Sequence, residues 1–108
     1  MKGNKLYVFR RYKKKEGNKN VRHPKLIIDE TSSKYGYMGL TSSQKTGHHK
    51  NYEMHKNPQR GNKNKSYLRK SINYDLKEKF SKILDDYHLS EEDKQYIIDY
   101  INKHKKKK

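Results

Sequence analysis

The sequence predicts an α+β fold, in which a small antiparallel β-barrel carries one or two C-terminal α-helices packed on it. Short runs of β-branched and aromatic residues, separated by polar turns, occupy the first 70 positions, and apolar residues then change to helical spacing. At 108 residues the chain is predicted to form one domain over 1–102. That domain comprises a basic β-barrel at 5–70 and an acidic helical part at 71–102, followed by a disordered basic tail at 103–108.

Three strands are predicted in the first part of the chain. Lys5–Tyr12 carries apolar residues on both of its faces, as expected of a strand in a small barrel. Lys25–Glu30 contains a continuous apolar run that is typical of a buried strand. Lys34–Thr41 is the third strand, and its Gly36 and Gly39 indicate bends or places where other groups approach the backbone closely.

The remaining elements become more helical toward the C-terminus. Tyr52–His55 and Ser66–Lys70 are predicted as short strands. Apolar residues at helical spacing then predict an amphipathic helix over Asn73–Tyr87. A second helix is predicted to begin after Ser90, whose hydroxyl suits the N-cap position and is followed by three acidic residues.

Charge is segregated along the chain. Its formal net charge is +16, and residues 1–70 carry 19 Lys and Arg against 4 Asp and Glu. Residues 71–102 reverse this balance, with 4 lysines against 8 acids. A basic section with interleaved aromatic residues is the expected footprint of a polyanion, so the predicted partner is nucleic acid. An acidic protein partner and a merely solubilising surface are the alternatives.

Composition limits the chemistry and the compartment. The chain has no cysteine, which excludes a disulfide scaffold, a thiol nucleophile and cysteine-based zinc sites. No apolar run reaches the length of a membrane span, and the Lys-rich start is not followed by the apolar stretch typical of a signal peptide, so we expect a cytoplasmic protein without a membrane partner. His48, His49 and His55 lack the ligand spacing of a closed zinc site, and no metal or other cofactor is predicted.

The candidate site lies at the two ends of a predicted hairpin. If Lys25–Glu30 pairs with Lys34–Thr41, the start of the first strand lies beside the end of the second. Metal-independent RNA cleavage needs a base for the 2′-hydroxyl, cations for the phosphate and an acid for the leaving 5′-oxygen. Histidine, arginine and hydroxyl side chains at these two ends can supply those groups. The predicted catalytic residues are Arg22, His23, Thr41 and Ser42.

A wider set of basic, hydroxyl and aromatic residues is predicted to bind RNA. Cations would contact phosphates, and an aromatic ring would stack on a base. The predicted RNA-binding residues are Arg10, Arg11, Ser43, Lys45, His48, His49, Lys50, Tyr52, Arg60 and Arg69.

The order of these parts resembles the PemK/MazF-like toxin endoribonucleases. The likeness rests on Arg22-His23-Pro24 before a hydrophobic strand, on Thr41-Ser42-Ser43 at the end of the next strand, and on a later strand that leads into helices. It implies an SH3-like barrel, cleavage of single-stranded RNA, an antitoxin that is an acidic protein or an RNA, and a possible homodimer. The Gly-Asp pair that usually opens that family is absent, and His23 stands where the family often has arginine.

Other functions stay open at this level. The type III toxins, whose antitoxin is an RNA, share this barrel. A RelE/barnase-like RNase would perform the same chemistry on a different α+β fold. A small basic barrel can also bind single-stranded RNA or DNA without cutting it.

Overall fold

The computed structural model describes residues 6–13 and 23–106 of the chain. Over these residues the chain forms short strands, one 3-10 helix and one long α-helix. In chain order the elements are β1 Val8–Arg10, β2 Lys25–Glu30, β3 Lys34–Thr41, β4 Lys45–Thr46, β5 His49–Lys50, β6 Tyr52–Glu53, β7 Tyr67–Leu68, β8 Asn73–Leu76, the 3-10 helix Lys77–Lys79, and α1 Glu91–Lys106.

The main sheet is antiparallel and is centred on β3. Its strand order is β1-β2-β3-β7-β6, and β8 also pairs with β3, along the half of that strand that β7 leaves open. The strands β4 and β5 form a separate two-stranded sheet. Within the described residues β1 and β6 do not pair, so the sheet is not closed into a barrel. The fold is therefore α+β, an antiparallel sheet with one C-terminal helix.

The two central strands have the bounds that the sequence predicts. Between them the Thr31 hydroxyl accepts hydrogen bonds from the backbone N–H groups of Ser33 and Lys34, at 3.3 and 2.9 Å, which closes the turn. Strands β1, β6 and β7 are shorter than predicted. The first residue of the predicted strand Lys5–Tyr12 lies outside the described residues.

The predicted helix over Asn73–Tyr87 is wrong. This segment forms β8, the 3-10 helix and an irregular stretch that runs back along other parts of the chain. Asn, Tyr and Asp at its start are poor helix formers, and β3 offers them a ladder of backbone hydrogen bonds instead. The apolar residues that mimic a helical face serve separate contacts: Phe80 bridges Tyr12, and the Leu84 N–H donates to the Phe9 carbonyl at 2.8 Å.

The helix α1 begins at the predicted cap. The Ser90 hydroxyl accepts the backbone N–H of Asp93 at 3.2 Å and donates to the Asp93 carboxylate at 2.9 Å. The helix continues to Lys106, beyond the start of the expected disordered tail at Lys103. Lysine is a good helix former, and positive charge is favourable at a helix C-terminus. None of the helices in the described ranges is long and apolar enough to cross a membrane.

Asp93 joins α1 to the loop after β6. Its side chain is 0% exposed. Besides Ser90, its carboxylate accepts hydrogen bonds from the Tyr52 hydroxyl at 2.6 Å and from the backbone N–H groups of His55 and Lys56, at 2.8 and 3.2 Å. The carboxylate is buried without unpaired oxygens, which is the condition for burying such a group at acceptable cost.

The strands divide their side chains between two sides of the sheet. On the side that we call the helix face, apolar side chains of the sheet pack with one side of α1. Side chains at the alternate positions, among them Lys25, Ile27 and Tyr37, lie on the opposite side, which we call the open face. The buried cluster of the helix face comprises Phe9, Leu26, Ile28, Met38, Leu40, Met54, Leu68, Ile97 and Ile101.

Gly36 of β3 allows the Tyr74 side chain of β8 to lie over β3 and reach β2. The Tyr74 ring of β8 passes over it, and the Tyr74 hydroxyl donates to the Asp29 carboxylate at 2.5 Å. A Cβ atom at Gly36 would lie 2.7 Å from the Tyr74 ring and 3.0 Å from the Asp29 Cβ. The glycine therefore permits the close approach that the sequence indicated for this strand.

Candidate nucleic-acid interface

The open face carries a cluster of aromatic rings around Phe80. The ring centroid of Phe80 lies 5.2 Å from that of Tyr12, 5.3 Å from that of Tyr35 and 5.7 Å from that of Tyr37. These tilted and edge-on contacts fix the rings against the sheet. The charged side chains of Arg10 and Lys25 pack against rings of this aromatic cluster.

A small cleft opens at the edge of this aromatic cluster. Its volume is about 130 Å³. Strands β2, β3 and β8 and the segment after β7 each contribute to its walls. The lining residues are Tyr12, Lys25, Tyr37, Gly39, Arg69, Ser71 and Asn73.

Lys25 is a charged residue held almost entirely away from solvent. It is 5% exposed. Its ammonium lies 4.8 Å from the centroid of the Tyr12 ring and donates to the His23 carbonyl at 3.2 Å. Burial, and secondly the positive charge of Arg69, lower the pKa of Lys25. A lysine with a lowered pKa in a cleft is a feature of functional sites more often than of surfaces.

Arg69 reaches the cleft across Gly39. The backbone N–H of Arg69 donates to the Gly39 carbonyl at 2.8 Å, which sets the residue beside β3. A Cβ atom at Gly39 would lie 3.4 Å from the Arg69 Cδ, so the glycine leaves room for the arginine stem. Gly39 also pairs with Lys25 across the hairpin, and the two cations therefore share one end of the open face.

A chain of hydroxyl groups forms one wall of the cleft. The Tyr12 hydroxyl donates to the Asp75 carboxylate at 2.8 Å and lies 3.1 Å from the Tyr37 hydroxyl. Because the single proton of Tyr12 goes to Asp75, the Tyr37 hydroxyl must donate to Tyr12. Burial, together with the hydrogen bonds to Tyr37 and Asp75, raises the pKa of Tyr12. The hydroxyl protons of Tyr12 and Tyr37 are therefore both used in hydrogen bonds within the wall.

Asp75 is ionised behind that wall. Burial alone would raise its pKa, but hydrogen bonds from the Tyr12 hydroxyl and the Leu76 N–H, together with the Lys79 ammonium 3.4 Å away, outweigh burial and lower the pKa. The carboxylate is therefore neutralised on its own side of the wall. Asp75 is not among the residues that line the cleft.

The hairpin brings the two predicted catalytic ends together along the backbone. The Leu40 N–H donates to the Pro24 carbonyl at 3.0 Å, so the pairing of β2 and β3 extends past Lys25 toward His23 and Thr41. The His23 side chain is exposed, and Thr41 is half-buried, with its hydroxyl accepting the N–H of Ser43 at 3.1 Å. Ser42 and Ser43 are exposed. Arg22 lies outside the described residues.

The predicted binding loop forms the hairpin of β4 and β5. Lys45 pairs directly with Lys50, and Thr46 pairs with His49. The amide of Asn51 holds the loop by donating to the Ser43 carbonyl and the Thr46 hydroxyl, both at 2.9 Å. Like charges placed directly opposite each other are unfavourable, and an anion between them would relieve the repulsion.

The histidines of this region do not converge. His48 and His49 are both exposed, His48 in the turn between β4 and β5 and His49 in β5. His55 lies in the loop after β6, with its imidazole 3.9 Å from the Glu92 carboxylate. Over the described ranges there is no group of three or more His, Cys, Asp or Glu residues that could hold a metal ion.

Arg10 and Arg11 belong to the open face and its border. The Arg10 guanidinium lies 4.9 Å from the centroid of Tyr35 and donates to the Ser81 carbonyl at 2.7 Å. The Arg11 guanidinium lies 5.6 Å from the ring of Tyr87. The hydrogen bond of Arg10 to Ser81 and the contact of Arg11 with Tyr87 attach the segment that contains Ser81 and Tyr87 to β1.

Tyr52 and Arg60 lie away from the cleft. The Tyr52 ring stacks on Tyr96 of α1, with centroids 3.8 Å apart and planes 5° apart. Burial, followed by the hydrogen bond to Asp93, raises the pKa of the Tyr52 hydroxyl. These contacts attach β6 to α1. Arg60 is exposed in the loop between β6 and β7.

The sequence did not single out Lys25 for a site, although it contains a signal for it. The predicted strand Lys25–Glu30 begins with a lysine immediately before three apolar residues. A lysine at a position continuous with a buried strand needs a reason to be there. Tyr12, Ser71 and Asn73 carried no comparable signal, because only the return of β8 to β3 brings them to the cleft.

The chain matches no protein-family model, no curated protein and no solved structure.

Proposed function

We propose that the protein is a metal-independent endoribonuclease of toxin type, which cuts single-stranded RNA by attack of a 2′-hydroxyl on the adjacent phosphate. One observation carries the proposal. The Leu40 N–H donates to the Pro24 carbonyl, and the register of β2 and β3, if continued past Lys25 and Gly39, would set His23 opposite Thr41. This arrangement supports a joint site that contains an imidazole and a hydroxyl.

The chemistry requires no water and no metal. The 2′-oxygen of the RNA forms a bond to phosphorus while the bond from phosphorus to the 5′-oxygen breaks, leaving a 2′,3′-cyclic phosphate and a 5′-hydroxyl. One group takes the proton of the 2′-hydroxyl and one group gives a proton to the leaving 5′-oxygen, and the His23 imidazole serves in one or both of these roles. The hydroxyls of Thr41 and Ser42 donate to the phosphate oxygens, and Arg22 supplies a cation.

The surroundings support an RNA substrate. Lys45 pairs with Lys50 in the segment that follows Thr41 along the chain, and Lys25 and Arg69 add two cations in the cleft. The proposal includes kinship with the PemK/MazF-like toxins and their SH3-like barrel, a cytoplasmic location, and an antitoxin that is either an acidic protein or an RNA. A homodimer is part of the same proposal.

Cleavage of a mixed RNA in EDTA, with mapping of the 5′-ends, tests this function. We expect the native chain to produce 5′-hydroxyl ends. Loss of one proton-transfer group typically costs a factor of about 100 or more, so His23→Ala should lower the rate by at least that factor. The matched control is His88→Ala, which removes an exposed histidine in the segment just before α1. Intact RNA with the native chain, or equal rates for the two variants, would refute the proposal.

A second candidate is a protein that binds single-stranded nucleic acid without cutting it. One observation favours it. The imidazole of His23 makes no hydrogen bond with any residue of the described ranges, whereas a catalytic base is commonly oriented by a third group. Binding without product, with log K falling against log salt by about 0.7 for each phosphate contacted, would identify this alternative.

A further inference from the structure

The cleft between Lys25 and Arg69 concentrates positive charge. Both cations line it, and none of the other described lining residues is acidic. Asp75 does not line the cleft, and its carboxylate is engaged by the Tyr12 hydroxyl and by Lys79. Two cations that share a shielded cleft repel each other, and this repulsion is stronger there than at an open surface.

The remaining lining groups suit an anion. Ser71 and Asn73 can donate a hydroxyl proton and an amide N–H, and both are exposed at the mouth of the cleft. The protons of the Tyr12 and Tyr37 hydroxyls are used within the wall, so these groups provide shape rather than donors. Arginine and lysine together with neutral donors are the usual protein ligands of phosphate.

The size of the cleft limits what it can hold. Its volume of about 130 Å³ is far below the ~300–1,000 Å³ of pockets that enclose drug-sized ligands. A phosphate group fits such a space, whereas a nucleoside does not. A nucleic acid that places a phosphate in the cleft would therefore leave its bases outside, and the contact would be independent of sequence.

We propose that the Lys25–Arg69 cleft is a phosphate-binding subsite that holds one phosphate group of a single-stranded RNA at a position neighbouring the hairpin end. The inference rests on the proposed function in taking RNA as the polyanion. The phosphate has two possible sources, an internal phosphodiester and a terminal monoester. Lys25 lies two positions after His23, so a phosphate in the cleft would fix the register of the strand relative to His23 and Thr41.

Binding is measured by fluorescence anisotropy with a short 2′-O-methyl RNA, which lacks the attacking hydroxyl and cannot be cut. We expect Lys25→Met and Arg69→Met each to weaken binding by about tenfold or more, the loss of one good charged contact. The salt slope should become shallower by about 0.7 in each variant. The matched control Lys34→Met removes an exposed lysine at the other end of β3 and should change the affinity by less than about twofold.

Two arms of the experiment distinguish the sources of the phosphate. If a 5′-phosphate on the oligonucleotide strengthens binding to the native chain but not to Arg69→Met, the cleft takes a terminal monoester. If the 5′-phosphate makes no difference and both variants still bind weakly, the cleft takes an internal diester. Affinities of Lys25→Met and Arg69→Met equal to that of Lys34→Met would overturn the inference.

Controls keep the outcome interpretable. The fold of each variant is checked by circular dichroism. If Lys25→Met fails to fold, Arg69→Met decides alone, since the Arg69 guanidinium makes no hydrogen bond or ion pair with the described residues. Binding through the cleft without cleavage of ordinary RNA would refute the proposed function and leave the subsite standing. Cleavage of ordinary RNA by the native chain, together with unaltered RNA binding by Lys25→Met and Arg69→Met, would support the proposed function and overturn the subsite.

Discussion

The helix face and the open face of the sheet are built from the same strands, but the helix face forms an apolar core and the open face carries a charged cleft. On the helix face, Leu26 and Met38 pair directly and are buried in the same cluster as residues of α1, with 0% of each exposed. On the open face, the neighbouring pair is Lys25 and Gly39, a buried cation beside a residue with no side chain. The Leu26–Met38 pair fills the core, whereas the Lys25–Gly39 pair lines a cleft and contributes a positive charge to it.

This difference shows how alternation along a strand separates stability from binding. Side chains at successive positions point to opposite sides of the sheet. A substitution on one face can therefore change packing without moving the groups on the other face. Three substitutions test whether the two faces are independent in this way.

The largest effect is expected from Asp93→Ala on the helix side. The variant leaves the Tyr52 hydroxyl and the backbone N–H groups of His55 and Lys56 without an acceptor. We expect the free energy of unfolding to fall by about 3 kcal/mol, measured by urea denaturation. Affinity for the 2′-O-methyl RNA should stay within about twofold wherever the protein is still folded.

The matched control for this substitution is Asp99→Ala. It removes the same charge from the same helix, but Asp99 is exposed and contacts only Gln95 among the hydrogen bonds of the helix surface. Its cost should be within about 0.5 kcal/mol. Equal costs for the two variants would mean that Asp93 does not anchor the loop after β6. A large loss of RNA affinity in folded Asp93→Ala would break the independence of the faces.

A smaller effect is expected from Gly36→Ala, which forces the Tyr74 ring to swing aside. Because Tyr74 is 48% exposed, the ring can move into solvent, and the main loss is its hydrogen bond to Asp29. We expect a cost of about 1 kcal/mol. Tyr74→Phe breaks the same bond, so the two changes should be non-additive in a double-mutant cycle. Additive costs would show that the close approach is not what Gly36 provides.

The smallest effect is expected from Lys25→Met, and its sign is opposite. Replacing a buried cation close to Arg69 should raise the free energy of unfolding by about 0.5 kcal/mol in the absence of an anion. The pKa of Lys25 is lowered in the folded protein, which therefore binds fewer protons than the unfolded chain between the two pKa values. Native stability should rise with pH through that interval, and the Met variant should lack this rise.

Denaturation at several pH values checks the Lys25 prediction. A destabilised Lys25→Met protein would mean that the hydrogen bond to the His23 carbonyl and the contact with Tyr12 outweigh the repulsion. Together with unchanged RNA binding, that result would make Lys25 a structural residue. Increased stability with weakened binding is the combination expected of a residue retained for function.

The sequence predicts the parts of this fold that depend on local patterns. Continuous apolar runs and β-branched residues marked β2 and β3 with the observed bounds, and the Ser90 cap marked the start of α1. The prediction of a helix after Ile72 was wrong because the spacing of the apolar residues in this segment imitates one face of a helix. Its backbone instead pairs with β3, a partner about 40 positions earlier that no local pattern reveals.

The same limit applies to the candidate site. The hairpin end could be predicted, because a short turn dictates which residues of β2 and β3 become neighbours. The cleft could not, since Lys25, Arg69 and Asn73 meet only through the pairing of β3 with both β7 and β8. Arg69 was predicted to bind RNA on charge alone, and nothing in the sequence indicated its approach to Lys25.

The short turn at Thr31–Ser33 also sets the order in which the molecule can assemble. Closing it costs little chain entropy, so β2 and β3 can pair early and locally. Arg69 reaches the same neighbourhood only after the long segment 42–66 has been closed into a loop. A chain caught between these two events has its lysine on an open hairpin with no second cation beside it. We therefore expect the charged cleft to form late in folding, after the sheet has been completed.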